Sequence, residues 1–289
     1  MVYPHESGRF HHMYQWVMGC TGGNPVLLPP GEENLCYRGS MPWGEITSAA
    51  NCRRNRRSLL IGGASLIALP FLSPAWAQRR PVDLALALAA DCSGSVHVQH
   101  YILQQRGYAE AFRSKEVRQA IRAGIHGAIA VAYYQWSGYR LQNLILPWTV
   151  LANDDDIMRF ATQMENAERT IFGGGTSPSG AIEFGHKLLS DLPVQASRRV
   201  IDISGDGRNN TGPPPAEARK AALDAGIVIN GLPILHMEQD IDGYYEKFII
   251  GGPGAFMVPA RDYESFAAAV RRKLVLEIAD HKDPAIFEG

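Results

Sequence analysis

Val82-Asp83-Leu84-Ala85-Leu86-Ala87-Leu88-Ala89-Ala90 runs straight into Asp91-Cys92-Ser93-Gly94-Ser95. A near-continuous apolar stretch of this length fits a central parallel strand covered on both faces. It ends on a carboxylate and two hydroxyls, where a buried strand gives way to a loop. Two later segments carry oxygens at similar places. Gly173-Gly174-Gly175-Thr176 is a glycine loop presenting a hydroxyl, and Val200-Ile201-Asp202-Ile203-Ser204-Gly205-Asp206-Gly207 is an apolar strand finishing on a carboxylate. Asp91, Ser93, Ser95, Thr176 and Asp206 together offer two carboxylates and three hydroxyls. Small, hard divalent cations prefer such oxygens and need neither thiolate nor imidazole.

Outward from these segments, helical and strand patterns alternate. Helices are expected over 98–114, 115–124, 154–168, 178–190, 215–225 and 263–279, with strands over 127–136, 142–148, 199–204, 227–235 and 255–259. The link Ser137-Gly138 is too short for a crossover, so 142–148 should run antiparallel at an edge. The expected class is α/β: a Rossmann-like, doubly wound, mostly parallel central sheet with helices on both faces and one antiparallel edge strand. Open sheets of this kind bind ligands beyond the carboxyl ends of their strands. All three oxygen-rich segments fall at that edge.

Asp-x-Ser-x-Ser after a strand, then Gly-Gly-Gly-Thr, then a strand ending in Asp-Gly, resembles the von Willebrand factor type A domain over roughly residues 80–280. The first motif alone is weak, whereas the ordered set of three is far more specific. The resemblance implies a metal-ion-dependent adhesion site. In it Ser93, Ser95 and Thr176 would bind through hydroxyls, with Asp91 and Asp206 acting directly or through water. Few direct charges leave the cation electrophilic, so an open position would favour an acidic residue of a protein partner. Mg²⁺ suits octahedral oxygen coordination, and Mn²⁺ or Ca²⁺ could substitute. The stretch 236–256, with Tyr244-Tyr245 and Gly251-Gly252-Pro253-Gly254-Ala255-Phe256, departs from a minimal domain. It resembles an uncharacterised group of bacterial exported type A proteins, and is expected to be a structural flap.

The chain has 289 residues, with 28 Lys and Arg against 29 Asp and Glu. Nothing in that balance suggests a nucleic-acid backbone or an anionic membrane as partner. Arg53-Arg54-Asn55-Arg56-Arg57, the apolar run 58–72 broken by Pro70, and Ala75-Trp76-Ala77 read as a signal peptide over 53–77. The run is too short to leave a stable membrane span. Residues 1–52 fit no element and read as an extension or a start assigned too far upstream, leaving 78–289 as the folded, exported domain, periplasmic or secreted. Cys92 is then the single cysteine of that domain, buried and turned away from the metal by strand alternation. The histidines show no metal-ligand spacing.

Other chemistries fit less well. An aspartyl-phosphate hydrolase built on Asp91 would want a second Asp two residues on, where Ser93 stands. Gly-Lys-Ser/Thr is absent after the glycine loop, and Gly-x-Ser-x-Gly is absent at all three loops. Three functions stay open: a non-enzymatic binding domain, a metal-dependent phosphatase or hydrolase using Asp91, and a structural subunit of an envelope complex. The first is expected.

Overall fold

Side-chain alternation along the first strand gives each face of the sheet its own core. The computed structural model describes residues 79–279; the expected extension 1–52 and signal 53–77 lie outside them. In β1 (Pro81–Asp91) the side chains of Leu84, Leu86 and Leu88 enter one apolar cluster. Ala85, Ala87 and Ala89 enter the other. Burial on both faces is what a central strand requires, and β1 is central. The sheet order is β3 (Gln142–Leu151), β2 (Ile129–Trp136), β1, β4 (Gln195–Gly205), β5 (Val228–Pro233). All neighbours pair parallel except β2 and β3, which form the expected antiparallel edge.

The leucine face packs on α1 (Val98–Arg113), α2 (Lys115–Ala123), α3 (Asp154–Glu165) and α7 (Phe266–Ile278) through Tyr108, Phe112, Ile121, Phe160, Phe266 and Leu274. The alanine face leaves room for the large Tyr134 and Trp136 of β2. It is covered by α4 (Pro178–Ser190), α5 (Pro215–Asp224) and α6 (Ile241–Tyr244). Local chemistry sets the helix starts. Asn153 caps α3 by accepting from the Asp156 N–H at 2.9 Å, and three aspartates in its first turn complement the helix dipole. Ser177 caps α4, with Pro178 as its first residue. No helix among the described residues is long and apolar enough to cross a membrane.

Two expectations need correction. The strand expected over 255–259 does not form; this segment meets β5 at the isolated bridge of Gly231 with Met257, and Ile234 bridges Ala260 just beyond both. Gly252 and Gly254 adopt positive φ just before it, and Pro259 has no N–H to give a ladder. The stretch 236–256 is also more than a flap. Ile241, Tyr245 and Ile249 are fully buried in the alanine-face core, on α6 and the single π-helical turn Tyr245–Ile249 that continues it. Elsewhere the elements differ mainly at their ends: β4 starts at Gln195 and α3 stops at Glu165.

One ionic cluster lies inside this frame. Lys273 Nζ of α7 meets Asp202 Oδ1 at 2.6 Å and Glu277 Oε2 at 3.2 Å, all three buried. Asn230 donates to Glu277 Oε1 at 2.8 Å.

The chain winds to one side of β1 through β2 and β3, then returns to its other side for β4 and β5. The strand order therefore reverses between β1 and β4, where such sheets open a binding crevice. Asp91 is the last residue of β1, and Asp206 directly follows β4.

Candidate metal site

At that crevice the first loop organises itself around Asp91. Asp91 Oδ1 accepts from the Ser93 N–H at 2.7 Å. The Ser93 and Ser95 hydroxyls are hydrogen-bonded at 3.1 Å, and Ser95 Oγ donates to Asp206 Oδ1 at 2.7 Å. The Ser93 N–H and the Ser93 and Ser95 hydroxyls thus link the two carboxylates across the strand gap. Asp91, Ser93 and Asp206 are fully buried, Ser95 is half-buried and Gly94 is exposed, so the cluster has one open side. Arg169 holds this loop from outside. Its guanidinium donates to the carbonyls of Val96 (2.6 Å), Cys92 (2.9 Å) and Ser93 (3.2 Å).

The glycine loop needs its glycines. Gly173, Gly174 and Gly175 have φ of 90°, 101° and 83°, a left-handed path that side chains strain. A Cβ on Gly174 would stand 2.4 Å from Leu141 Cδ1. Ser137 Oγ, at the end of β2, bonds the carbonyls of Gly173 and Gly175. Thr176 exchanges hydrogen bonds with Asn210, its N–H to Asn210 Oδ1 at 2.8 Å and its carbonyl from Asn210 N at 2.9 Å. Its side chain faces the turn after β4: a Cβ on Gly207 would lie 3.5 Å from Thr176 Oγ1. Asp91, Ser93, Ser95 and Asp206 are thereby joined directly, and Thr176 is held against the loop carrying Asp206.

The two carboxylates differ in what surrounds them. Asp206 accepts on both oxygens, from Ser95 and, at 3.0 Å, from the Tyr263 hydroxyl. Asp91 Oδ2 is buried with no hydrogen-bond partner. Burial, and next the negative charge of Asp206, push the Asp91 carboxyl up to about 7. Two buried acids linked through one serine loop, each disfavouring the other's charge, fit a cation that supplies the missing positive charge. The donors are all hard oxygens. Among the described residues no group of three or more His, Cys, Asp and Glu side chains is arranged to hold a metal.

Several residues here escaped the sequence reading. Tyr263 is 57 positions from Asp206, and Arg169 is 76 from Ser93; no local motif announces either. Tyr245 lies in the stretch 236–256, expected to be a structural flap. Cys92 is buried in the leucine-face core, where burial raises its thiol pKa. His100 stacks on Tyr263 with ring centroids 4.2 Å apart and meets His236 edge-on.

Residues 81–282 match the family described as protein of unknown function (DUF1194). No curated protein matches the chain. Among solved structures, the pilus adhesin SpaC from Lactobacillus rhamnosus GG is similar at 13% identity and a TM-score of 0.51, covering 71% of this chain and 32% of its own. A von Willebrand factor type A protein from Catenulispora acidiphila is similar at 13% identity and 0.50, covering 68% and 43%. Proximal thread matrix protein 1 of the mussel byssus is similar at 15% identity and 0.50, covering 70% and 49%. The chain spans between a third and a half of the length of these proteins. The fold they share with it is the von Willebrand factor type A fold.

Proposed function

We propose, for a chain that belongs to the DUF1194 family of proteins of unknown function, a metal-dependent binding domain that engages a protein partner through a divalent cation. The observation that carries this reading is the buried pair of carboxylates, Asp91 and Asp206, joined through the Ser93 N–H and the Ser93 and Ser95 hydroxyls beside an exposed Gly94. In this reading Ser93, Ser95 and Thr176 offer neutral oxygens. Asp91 and Asp206 orient them, directly or through water. Bound there, the cation would bridge to an acidic side chain of the partner. Because three of the five donors are uncharged, much of the cation's charge is left for that carboxylate. Mg²⁺ is the proposed ion, with Mn²⁺ or Ca²⁺ as substitutes. The similarity to a pilus adhesin supports an adhesive role over a catalytic one. Export, to the periplasm or beyond, rests on the pattern of residues 53–77.

Calorimetric titration with Mn²⁺ tests the site. Wild type should bind one ion, and Ser93→Ala/Ser95→Ala none. Absence of binding by wild type would overturn the metal reading. Capture from envelope extracts should depend on Mg²⁺ and fail in EDTA; capture that survives both EDTA and Asp206→Ala points instead to a structural subunit. Turnover of generic phosphate esters, abolished by Asp91→Asn, would replace the binding role with a catalytic one.

A further inference from the structure

Near Asp91, across Gly205, a second side chain is seated with unusual care. Tyr245 opens the π-helical turn after α6 and is fully buried. Two glycines on neighbouring strands make room for it. A Cβ on Gly231 of β5 would stand 2.8 Å from Tyr245 Cδ1. One on Gly205 of β4 would stand 2.9 Å from the Tyr245 hydroxyl, 2.9 Å from Asp91 Oδ2 and 2.9 Å from Trp136 Cζ2. Both the Tyr245 hydroxyl and Asp91 Oδ2 are buried without partners. A donor and an acceptor, both buried without partners and both bordering the space at Gly205, cost the fold twice unless they serve each other. Single π turns occur often at functional sites, where they aim one residue.

We propose that Tyr245 is a positioning residue for the metal site: its hydroxyl supplies the donor that Asp91 Oδ2 lacks, across the gap kept open by glycine at 205. With respect to the cation, this rests on the reading above. Each site carboxylate then has its own tyrosine from the C-terminal third of the chain, Tyr263 on Asp206 at 3.0 Å and Tyr245 on Asp91. The brace fixes the Asp91 carboxylate so that Oδ1 stays on the Ser93 N–H and the serine hydroxyls keep their aim. Partners outside a metal's direct ligands typically change its affinity by about 10–100-fold.

Two measurements test this together. Tyr245→Phe should weaken Mn²⁺ binding about tenfold by calorimetry, while Tyr244→Phe, whose hydroxyl faces the Asn209 N–H at 3.2 Å, should bind as wild type. Separately, a double-mutant cycle of Tyr245→Phe with Asp91→Asn, read as melting temperature in EDTA, should be non-additive because the two groups are coupled before any cation arrives. Unchanged Mn²⁺ affinity in Tyr245→Phe, or additive shifts in the cycle, overturns the proposal. If wild type binds no Mn²⁺ yet the cycle is non-additive, the metal reading falls and the tyrosine–carboxylate brace stands.

Discussion

Asp91→Asn should stabilise this protein without metal and forfeit the stabilisation that metal gives wild type. Burial and the Asp206 carboxylate raise the Asp91 carboxyl from 3.8 to about 7. The unfolded chain therefore releases that proton first, and the folded state holds more protons between pH 4 and 7. Stability then falls as pH rises through this window, and the loss is complete above about pH 7. At about 1.4 kcal/mol per pH unit the rise amounts to roughly 4 kcal/mol, or a melting shift on the order of 10 °C for a domain of this size. Asparagine removes the charge but keeps an oxygen for the Ser93 N–H. Asp202 complicates a single profile, because burial, opposed by Lys273 and reinforced by Glu277, lifts its carboxyl to about 7 as well. That contribution is common to both proteins, so the difference between wild type and Asp91→Asn isolates Asp91. Urea unfolding at pH 5 and pH 8 in EDTA should show the variant gaining on wild type at the higher pH. Saturating Mg²⁺ at pH 8 should close much of that gap, since a ligand at a hundred times its dissociation constant adds about 2.7 kcal/mol to wild type alone. Parallel profiles in EDTA, or an equal gain from Mg²⁺ in both proteins, would refute the reasoning.

Three further outcomes follow from contacts already described. Lys273→Met strands Asp202 and Glu277 in the core and should cost about 3–5 kcal/mol by urea unfolding. Arg169→Lys keeps the charge but cannot reach three carbonyls at once; Mn²⁺ affinity should fall about tenfold, in the range of other indirect metal-site changes, with little change in melting temperature. Thr176→Ala removes a neutral oxygen from a loop whose three glycines follow a positive-φ path, so titration should retain much of the cation affinity while partner capture weakens more. Equal losses in both assays would exclude a switching role for that loop.

Much of the architecture was legible in the chain itself. Burial of β1 on both faces follows from a near-continuous apolar run, and the antiparallel edge follows from the short link, Ser137 to Leu141, between β2 and β3. The five oxygen donors could be picked out because each sits where an apolar strand stops or a glycine run begins. Their relation to one another was a different matter. The Ser95–Asp206 hydrogen bond spans 111 positions, and it exists because β1 and β4 pair side by side while the chain between them covers both faces of the sheet. Arg169, Tyr263 and Tyr245 carry no motif; each reaches the site only once loops and helices far apart in sequence are packed against the same two strand ends. Strand ends and glycine loops are local consequences of side-chain polarity and backbone freedom, so sequence by itself determined them. Which buried polar atoms face each other, and which are left without a partner, depends on packing across the sheet, and the tertiary structure alone decided it.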